Sequence, residues 1–296
     1  MLIKAFQEVL PFDGILQLAQ GDGNVGAQLV SHSDVNMIAM TGSSATGNKI
    51  LQSAVEASSK TKTMKRIILE MGGKDPMIVF EDADLHKAAS DSVEYSLCNT
   101  GQVCCSIERI YVAESIYEKY QSLVKDIVKD YKVGNSLVDP TVKVGPLVSC
   151  MQRDHVKTHV DDAIAKGAKV LYQSEIPVSE SSSSSFYPVT VLTDVTDDML
   201  VFTNETFGPV VAITKFDGTE ATAITVANNT EYGLASCVYT QNLDKAQRIA
   251  SKINAGQVGI NCYSLDGMDV HCPWYVTVCI VLLRFGDLCG LCYVGK

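Results

Sequence analysis

Short apolar runs alternate with longer amphipathic segments along most of the chain, as they do where strands and helices take turns. In the segment 45–57, apolar residues recur at helical spacing, at Ile50, Leu51, Ala54 and Val55. That spacing gives one apolar face suited to packing on a sheet. The following run, 66–69, is short, apolar and close to a glycine pair, which is typical of a strand. The alternation predicts an α/β fold.

The same pattern predicts the order of the elements. Strands are predicted at 35–40, 66–69, 76–80, 107–112, 170–171, 189–192, 210–216, 235–239 and 256–261. Helices are predicted near the N-terminus and at 25–30, 45–57, 115–131, 149–167, 219–228 and 243–253. One more helix is predicted from a cap at Asp82 or Asp84 to about Leu97. The serine-rich stretch 179–185 predicts an exposed loop, because it has too little apolar area to offset the entropy of ordering.

Composition narrows the classes of partner. There are 24 Lys and Arg residues against 34 Asp and Glu residues, and the net charge of −10 argues against a nucleic-acid partner. The apolar run 276–283 is too short to span a membrane, which takes about 20 apolar residues, so no membrane partner is predicted. The N-terminus, Met1–Phe6, lacks the features of a secretory signal, and we expect a cytoplasmic protein.

The cysteines and histidines offer no convincing metal site. Five of the ten cysteines lie in segments with the pattern of core or active site, Cys98, Cys104, Cys105, Cys150 and Cys237, and we expect buried thiols there. Cys289 and Cys292 have CxxC spacing but no second pair or histidine near them. His155 and His159 stand four residues apart on a predicted helix, yet the charged residues around them indicate a solvated face. No metal is predicted.

Two residues, Cys104 and Glu70, carry the chemistry of a candidate active site. Cys104 falls on the loop after the helix that ends near Leu97, where Gly101 permits a sharp turn that lets the thiol project into a cleft. A cysteine thiolate can add to an aldehyde carbon, and a carboxylate can draw a proton from the water that hydrolyses the resulting thioester. Together they predict aldehyde oxidation.

Each of these residues also has a plainer interpretation. Cys104 and its neighbour Cys105 could both be core cysteines, and Cys104 paired with a histidine could form a cysteine protease site, although no protease signature accompanies it. Glu70 could be an exposed strand-end carboxylate balanced by Lys74 or Arg66.

Four ordered motifs resemble those of the aldehyde dehydrogenase superfamily. The sequence L-E-M-G-G-K at Leu69–Lys74 is similar to the glutamate motif of the family, and G-Q-V-C at Gly101–Cys104 is similar to its cysteine motif. The turn within Met40–Gly47 and the E-T-F-G-P of Glu205–Pro209 are similar to two of its cofactor-binding motifs. The presence of Glu70 favours the hydrolytic branch, because coenzyme-A-acylating relatives need not activate water.

The resemblance implies a role for each site residue. The Cys104 thiolate would add to a small-molecule aldehyde, a hydride would pass to NAD or NADP, and Glu70 would activate the hydrolytic water. The motif register selects Cys104 over Cys105. The cofactor pyrophosphate would be bound by Thr41, Gly42, Ser43 and Gly47. Glu205 would hold the nicotinamide-side ribose, and Phe207 would pack by the nicotinamide. Each cofactor residue also has a plainer interpretation. The turn at 41–47 could be an ordinary serine-capped helix start, Glu205 could be a loop carboxylate, and Phe207 could be a core ring.

The resemblance also predicts the domain organisation. Residues 1–70 would be the C-terminal part of a partial Rossmann-type NAD(P)-binding domain, 71–273 an α/β catalytic domain, and 274–296 an unrelated apolar tail. We expect an incomplete chain, because the first strands of the dinucleotide fold, an asparagine oxyanion donor and the oligomerising strand of the family have no counterpart. A family-type homo-oligomer would then lack its oligomerising segments. The competing hypothesis is a catalytically inactive fragment that at most binds intact subunits.

Overall fold

The computed structural model describes residues 2–12, 14–61, 64–177, 185–263, 282–285 and 288–291. The chain divides into two compact units, Met1–Met71 and Gly72–Lys296. All but the last residue of the predicted serine-rich loop lies outside the described residues. So does the predicted apolar tail, apart from two short strands, and so does Cys292.

The described helices and strands follow one another in α/β order. The helices are Leu2–Val9 (α1), Gly23–Ser31 (α2), Ser44–Thr61 (α3), Leu85–Leu97 (α4), Tyr117–Val128 (α5), Cys150–Ala165 (α6), Leu200–Thr203 (α7), Glu220–Asn228 (α8) and Leu243–Ala250 (α9). The strands are Met37–Thr41 (β1), Arg66–Glu70 (β2), Asp75–Val79 (β3), Ile107–Ala113 (β4), Lys169–Gln173 (β5), Thr190–Thr193 (β6), Val210–Phe216 (β7), Ala235–Tyr239 (β8), Gln257–Ile260 (β9), Leu282–Phe285 (β10) and Leu288–Leu291 (β11). Single 3-10 turns occupy Cys98–Gly101 and Glu114–Ile116.

The first unit is built on a small parallel sheet. Strands β1 and β2 pair in parallel, with Thr41 opposite Glu70 at their carboxyl ends. A compact cluster of buried side chains packs the sheet against the helices and contains Val30, Ile38 and Ala54. Both strands therefore end at the same edge of the sheet, which places the segments that follow them side by side.

The second unit is built on a mixed sheet that contains nine strands in the described ranges, in the order β11-β10-β9-β8-β3-β4-β7-β6-β5. The central pairs β3/β4, β3/β8 and β4/β7 are parallel. At one edge β5 pairs antiparallel with β6, and at the other β10 and β11 continue the sheet in antiparallel pairing. Successive residues of β3 enter opposite cores, since Met77 packs with α4 and α5 whereas Ile78 packs with the layer of α6 to α9. Helices therefore cover both faces, which is why β3 and β4 are buried along their whole length.

The predicted α/β pattern is confirmed, with shifts at element ends. The predicted strands 210–216 and 235–239 match β7 and β8 residue for residue, and Asp84 is the cap of α4, its carboxylate accepting from the Lys87 N–H at 3.1 Å. The short helix α7 was not predicted, because four residues are too few to display a helical period.

Candidate active site

A left-handed turn delivers Cys104 to its position. After α4 ends at Leu97, three successive residues adopt positive φ, namely Asn99 at 49°, Thr100 at 64° and Gly101 at 70°. The left-handed conformation is costly for a β-branched residue such as threonine. It is held here by hydrogen bonds from the Asn99 amide to the Gln102 carbonyl at 3.0 Å and from the Thr100 hydroxyl to the Gly145 carbonyl at 3.3 Å. The chain therefore reverses before Cys104 and enters β4.

The two vicinal cysteines differ in exposure. Cys104 is half-buried with a free thiol, whereas Cys105 is buried with 3% of its surface exposed. Within the described part of the chain, the Cys104 backbone N–H makes no hydrogen bond. An accessible thiol beside an unpaired N–H is the arrangement that nucleophilic attack on a carbonyl needs. The expected burial of Cys98 and Cys150 is wrong, because both lie exposed at helix boundaries.

The segments that contain Cys104 and Glu205 meet at one edge of the second sheet. The stretches 72–74, 104–106 and 205–209 directly precede β3, β4 and β7, and the amino ends of parallel strands share an edge. The contact is close, because a Cβ on Gly73 would lie 2.3 Å from the Cys104 carbonyl oxygen, and one on Gly72 would lie 2.3 Å from the Glu205 carboxylate. Only glycine fits at position 73, where the atom met is backbone, whereas a side chain at position 72 would displace the Glu205 carboxylate.

Glu205 is half-buried above this glycine pair. Its Oε1 accepts a hydrogen bond from the Gly73 N–H at 3.3 Å. Burial raises the pKa of Glu205 from 4.5 to about 7, and the neighbouring Glu108 carboxylate raises it further, while the Gly73 N–H and the Lys74 ammonium oppose the shift. Near neutral pH, Glu205 is therefore divided between its acid and carboxylate forms.

A buried ion pair beside the Glu205–Gly208 turn was not predicted from the sequence. Lys74 and Glu108 form it, with Lys74 1% exposed. Lys74, considered from the sequence as a partner of Glu70, thus has Glu108 as its carboxylate partner. The available signal was a charged residue inside the apolar strand β4, since buried charges require partners.

Side chains of helix α6 hydrogen-bond the Glu205–Gly208 turn. The Gln152 amide donates to the carbonyl oxygens of Thr206 at 3.1 Å and Phe207 at 3.0 Å. The His159 ring nitrogen Nδ1 hydrogen-bonds the Thr206 hydroxyl at 3.2 Å. Burial lowers the pKa of His159 to about 4, and the nearby His155 ring lowers it further. The predicted solvated face is wrong for His159, which is 4% exposed and neutral, but right for His155, which is exposed.

A second buried acid, Asp75, is linked through Tyr263 to the backbone of Cys105. Asp75 is 1% exposed, and burial raises its pKa from 3.8 to about 8. Its Oδ1 accepts from the Ala235 N–H at 3.2 Å, and its Oδ2 lies 2.8 Å from the Tyr263 hydroxyl, which also bonds the Cys105 carbonyl. One hydroxyl proton cannot serve two acceptors, so a protonated Asp75 completes the chain by donating to Tyr263.

The predicted residues of the first unit lie around one turn. Thr41 ends β1, Ser43 precedes α3, and the Ser43 hydroxyl accepts from the Thr46 N–H at 3.3 Å as a helix cap does. The Gly42 N–H donates to the Glu70 carbonyl at 3.0 Å, so the turn is joined to the end of β2. Gly47 is buried, and a Cβ there would lie 2.7 Å from the Met71 sulfur. Glu70 itself is exposed.

The Gly101 turn can be tested by stability. Gly101→Ala should lower the free energy of unfolding by about 3 kcal/mol, because the left-handed conformation is strained and the new methyl would lie 2.0 Å from the Gly208 carbonyl oxygen. Gly218→Ala is the matched control, since φ there is 78° and the nearest atom is 3.7 Å away, which is ordinary contact. The control should lose only about 1–2 kcal/mol in urea unfolding. Equal losses would show that the contact with Gly208 contributes nothing.

Three further observations concern the described residues outside this site. A cavity of about 930 Å³ lies between the stretches 129–142 and 172–177, and none of the predicted site residues line it. No group of three or more histidines, cysteines and acids is arranged for a metal within the described ranges. Among the described helices, none combines the length and apolar character that crossing a membrane requires.

Comparisons with known proteins agree with the motifs. The Aldehyde dehydrogenase family matches residues 1–274. A betaine aldehyde dehydrogenase of Mesorhizobium japonicum is 37% identical over 270 residues, which are 91% of this chain and 54% of that protein. The structure of an indole-3-acetaldehyde dehydrogenase complexed with NAD+ gives a TM-score of 0.75 at 35% identity, covering 81% of this chain and 47% of its own. An E. coli NADP-dependent enzyme gives 0.75 at 33% identity, covering 82% and 48%.

The α/β architecture and the four motifs thus define an aldehyde dehydrogenase-like protein. The chain belongs to the aldehyde dehydrogenase family, and the predicted resemblance is confirmed. It spans about half the length of the curated relatives it matches.

Proposed function

We propose that this chain contributes the cysteine chemistry of an NAD(P)-dependent oxidation of an aldehyde to a carboxylic acid. The observation that carries the proposal is the half-buried Cys104 thiol, with an unpaired backbone N–H in the described part of the chain and with Glu205 at the same sheet edge. Cys105 is buried beside it, which favours Cys104 as the nucleophile.

The proposed steps use this chain's own groups. The Cys104 thiolate forms a bond to the aldehyde carbon, and the carbonyl electron pair moves to oxygen, where the Cys104 N–H stabilises the oxyanion. The carbonyl bond then re-forms as the former aldehyde hydrogen leaves as a hydride, which gives a thioester on Cys104. NAD(P)+, when bound, would supply the hydride acceptor. Glu70 takes a proton from water, whose oxygen attacks the thioester carbon, and the carbon–sulfur bond breaks to release the acid and the thiolate.

The described residues suit the proposed cofactor. The Thr41–Ser43 turn brings hydroxyl groups and the first N–H groups of α3 together, and a helix start of this kind favours a pyrophosphate. Gly47, in the first turn of α3, has no side chain that would collide with Met71. Glu205 and Phe207 would hold the nicotinamide end, with the Glu205 carboxylate accepting from ribose hydroxyls. Both NAD and NADP stay open.

Partners and location follow from the sequence predictions. The substrate would be a small aldehyde. A homo-oligomer, the absence of nucleic-acid and membrane partners, and a cytoplasmic location stay predictions.

A second candidate is a catalytically inactive fragment that binds intact subunits. It is favoured by the exposed apolar side chains Met37 and Ile68 on the two-stranded sheet of the first unit. Two strands alone are marginal, and unpaired sheet edges invite another chain.

Two assays on the whole chain separate the candidates. The proposed enzyme should reduce NAD+ or NADP+ in the presence of a simple aldehyde, followed by absorbance, and should hydrolyse p-nitrophenyl acetate without cofactor. NAD+ should also raise its melting temperature. No turnover in either assay, together with no melting shift, would leave only the fragment.

A further inference from the structure

The Lys74–Glu108 pair lies below the turn that contains Glu205 and Phe207. Both side chains are nearly inaccessible, with Lys74 1% and Glu108 6% exposed. Burying an ion pair is costly, and such a pair contributes little net stability compared with apolar residues of similar volume. Its placement therefore calls for a role other than stability.

Glu108 uses both carboxylate oxygens on consecutive backbone amides of the turn. The Thr206 N–H donates to Oε2 at 2.7 Å, and the Phe207 N–H donates to Oε1 at 2.9 Å. Phe207 has a φ of 52°, a conformation that a non-glycine residue adopts only when its surroundings impose it. Both oxygens of a carboxylate accept hydrogen bonds. Glu108 can therefore hold the backbone N–H groups of Thr206 and Phe207 on the same side of the turn.

Lys74 completes the arrangement from the same side. Its ammonium group contacts Oε2 of Glu108 and donates to the Thr206 hydroxyl at 3.2 Å. The carboxylate charge is thereby balanced, and the Thr206 hydroxyl, which also bonds His159, is fixed. Backbone and side chain of Thr206 are both held, one residue after Glu205.

We propose that Glu108 is a positioning residue which, with Lys74, sets the conformation of the Glu205–Gly208 turn so that Glu205 and Phe207 are presented to the nicotinamide end of NAD(P). The role rests on the proposed function of Glu205 and Phe207. Glu108 itself touches neither cofactor nor substrate in this account.

Glu108→Gln is the discriminating variant. A glutamine keeps the size, but one of its two ends becomes an NH2 donor that faces a backbone N–H, so one amide loses its acceptor. We expect amide hydrogen exchange at Thr206 and Phe207 to quicken at least about tenfold, and the dissociation constant for NAD+ to rise about tenfold. Tyr120→Phe is the matched control, because it removes a buried hydrogen bond to the Ala88 carbonyl, 3.2 Å long, in the opposite helix layer.

Exchange and NAD+ affinity are measured on the same whole-chain proteins. Faster exchange confined to the turn, and absent in the control, supports the positioning role whether or not NAD+ binds. Failure of the unaltered chain to bind NAD+ counts against the proposed function alone. Exchange that rises no more than in the control, or rises equally everywhere, overturns the role. If Glu108→Gln does not fold, the double variant Lys74→Met with Glu108→Gln leaves no unpaired buried charge, and the same comparison decides.

Discussion

Cys104→Ala should abolish thiol-dependent hydrolysis of p-nitrophenyl acetate, lowering turnover at least about a thousandfold. The reason is that the sulfur atom forms the acyl bond, and an alanine offers no nucleophile. Steady-state release of nitrophenol measures the effect, and it needs no cofactor, so the outcome is independent of NAD(P) binding.

Cys105→Ala is the matched control for this substitution. The two residues are adjacent, but Cys105 is buried, so its replacement should cost some stability and leave turnover within about threefold. A loss in Cys105→Ala as large as in Cys104→Ala would contradict the assignment of the nucleophile.

Asp75→Asn should make the protein more resistant to alkaline pH. Because burial raises the pKa of Asp75 from 3.8 to about 8, the folded chain keeps a proton between these values that the unfolded chain has released. Stability therefore falls as pH rises through this window and levels off above about pH 8. An asparagine cannot ionise. Across this window the free energy of unfolding should therefore fall by about 5 kcal/mol less in the variant than in the unaltered protein.

Urea unfolding at pH 5, 7 and 9, compared by its midpoint concentrations, measures the difference. Tyr120→Phe, which removes a remote buried hydroxyl, should run parallel to the unaltered protein over this range. Parallel curves for Asp75→Asn as well would contradict a buried, protonated Asp75. They would also remove the proposed donor to Tyr263.

The fold was largely predictable because its signals are local. Strand β7 and strand β8 are apolar runs bounded by turn residues, and Asp84 caps α4 with a hydrogen bond to a residue three positions on. The order of strands in the sheet was not predictable. Strands β3 and β8 lie more than 150 residues apart in the chain yet are neighbours, and no short pattern encodes that pairing.

The candidate site could be proposed from the sequence only where it resembles known motifs. Cys104 and Glu205 stand in sequence patterns, whereas Glu108, Gln152 and His159 act through contacts with a turn about 50 to 100 residues away. The charged sequence neighbours of His159 indicate a solvated face, but its ring is buried and hydrogen-bonds Thr206 of the Glu205–Gly208 turn. Long-range contacts of this kind become visible only once strand pairing is known.

Glu70→Gln tests most directly the central claim, that Glu70 activates the water which frees Cys104 from its acyl group. The variant and the unaltered protein are mixed with p-nitrophenyl acetate, and the peptide that contains Cys104 is weighed by mass spectrometry at intervals. Glu56→Gln, at an exposed position on α3 of the same unit, is the control. The account predicts that an acetyl group accumulates on Cys104 only in Glu70→Gln. Equal loss of the acetyl group from all three proteins, or an acetyl group on another residue, would contradict it.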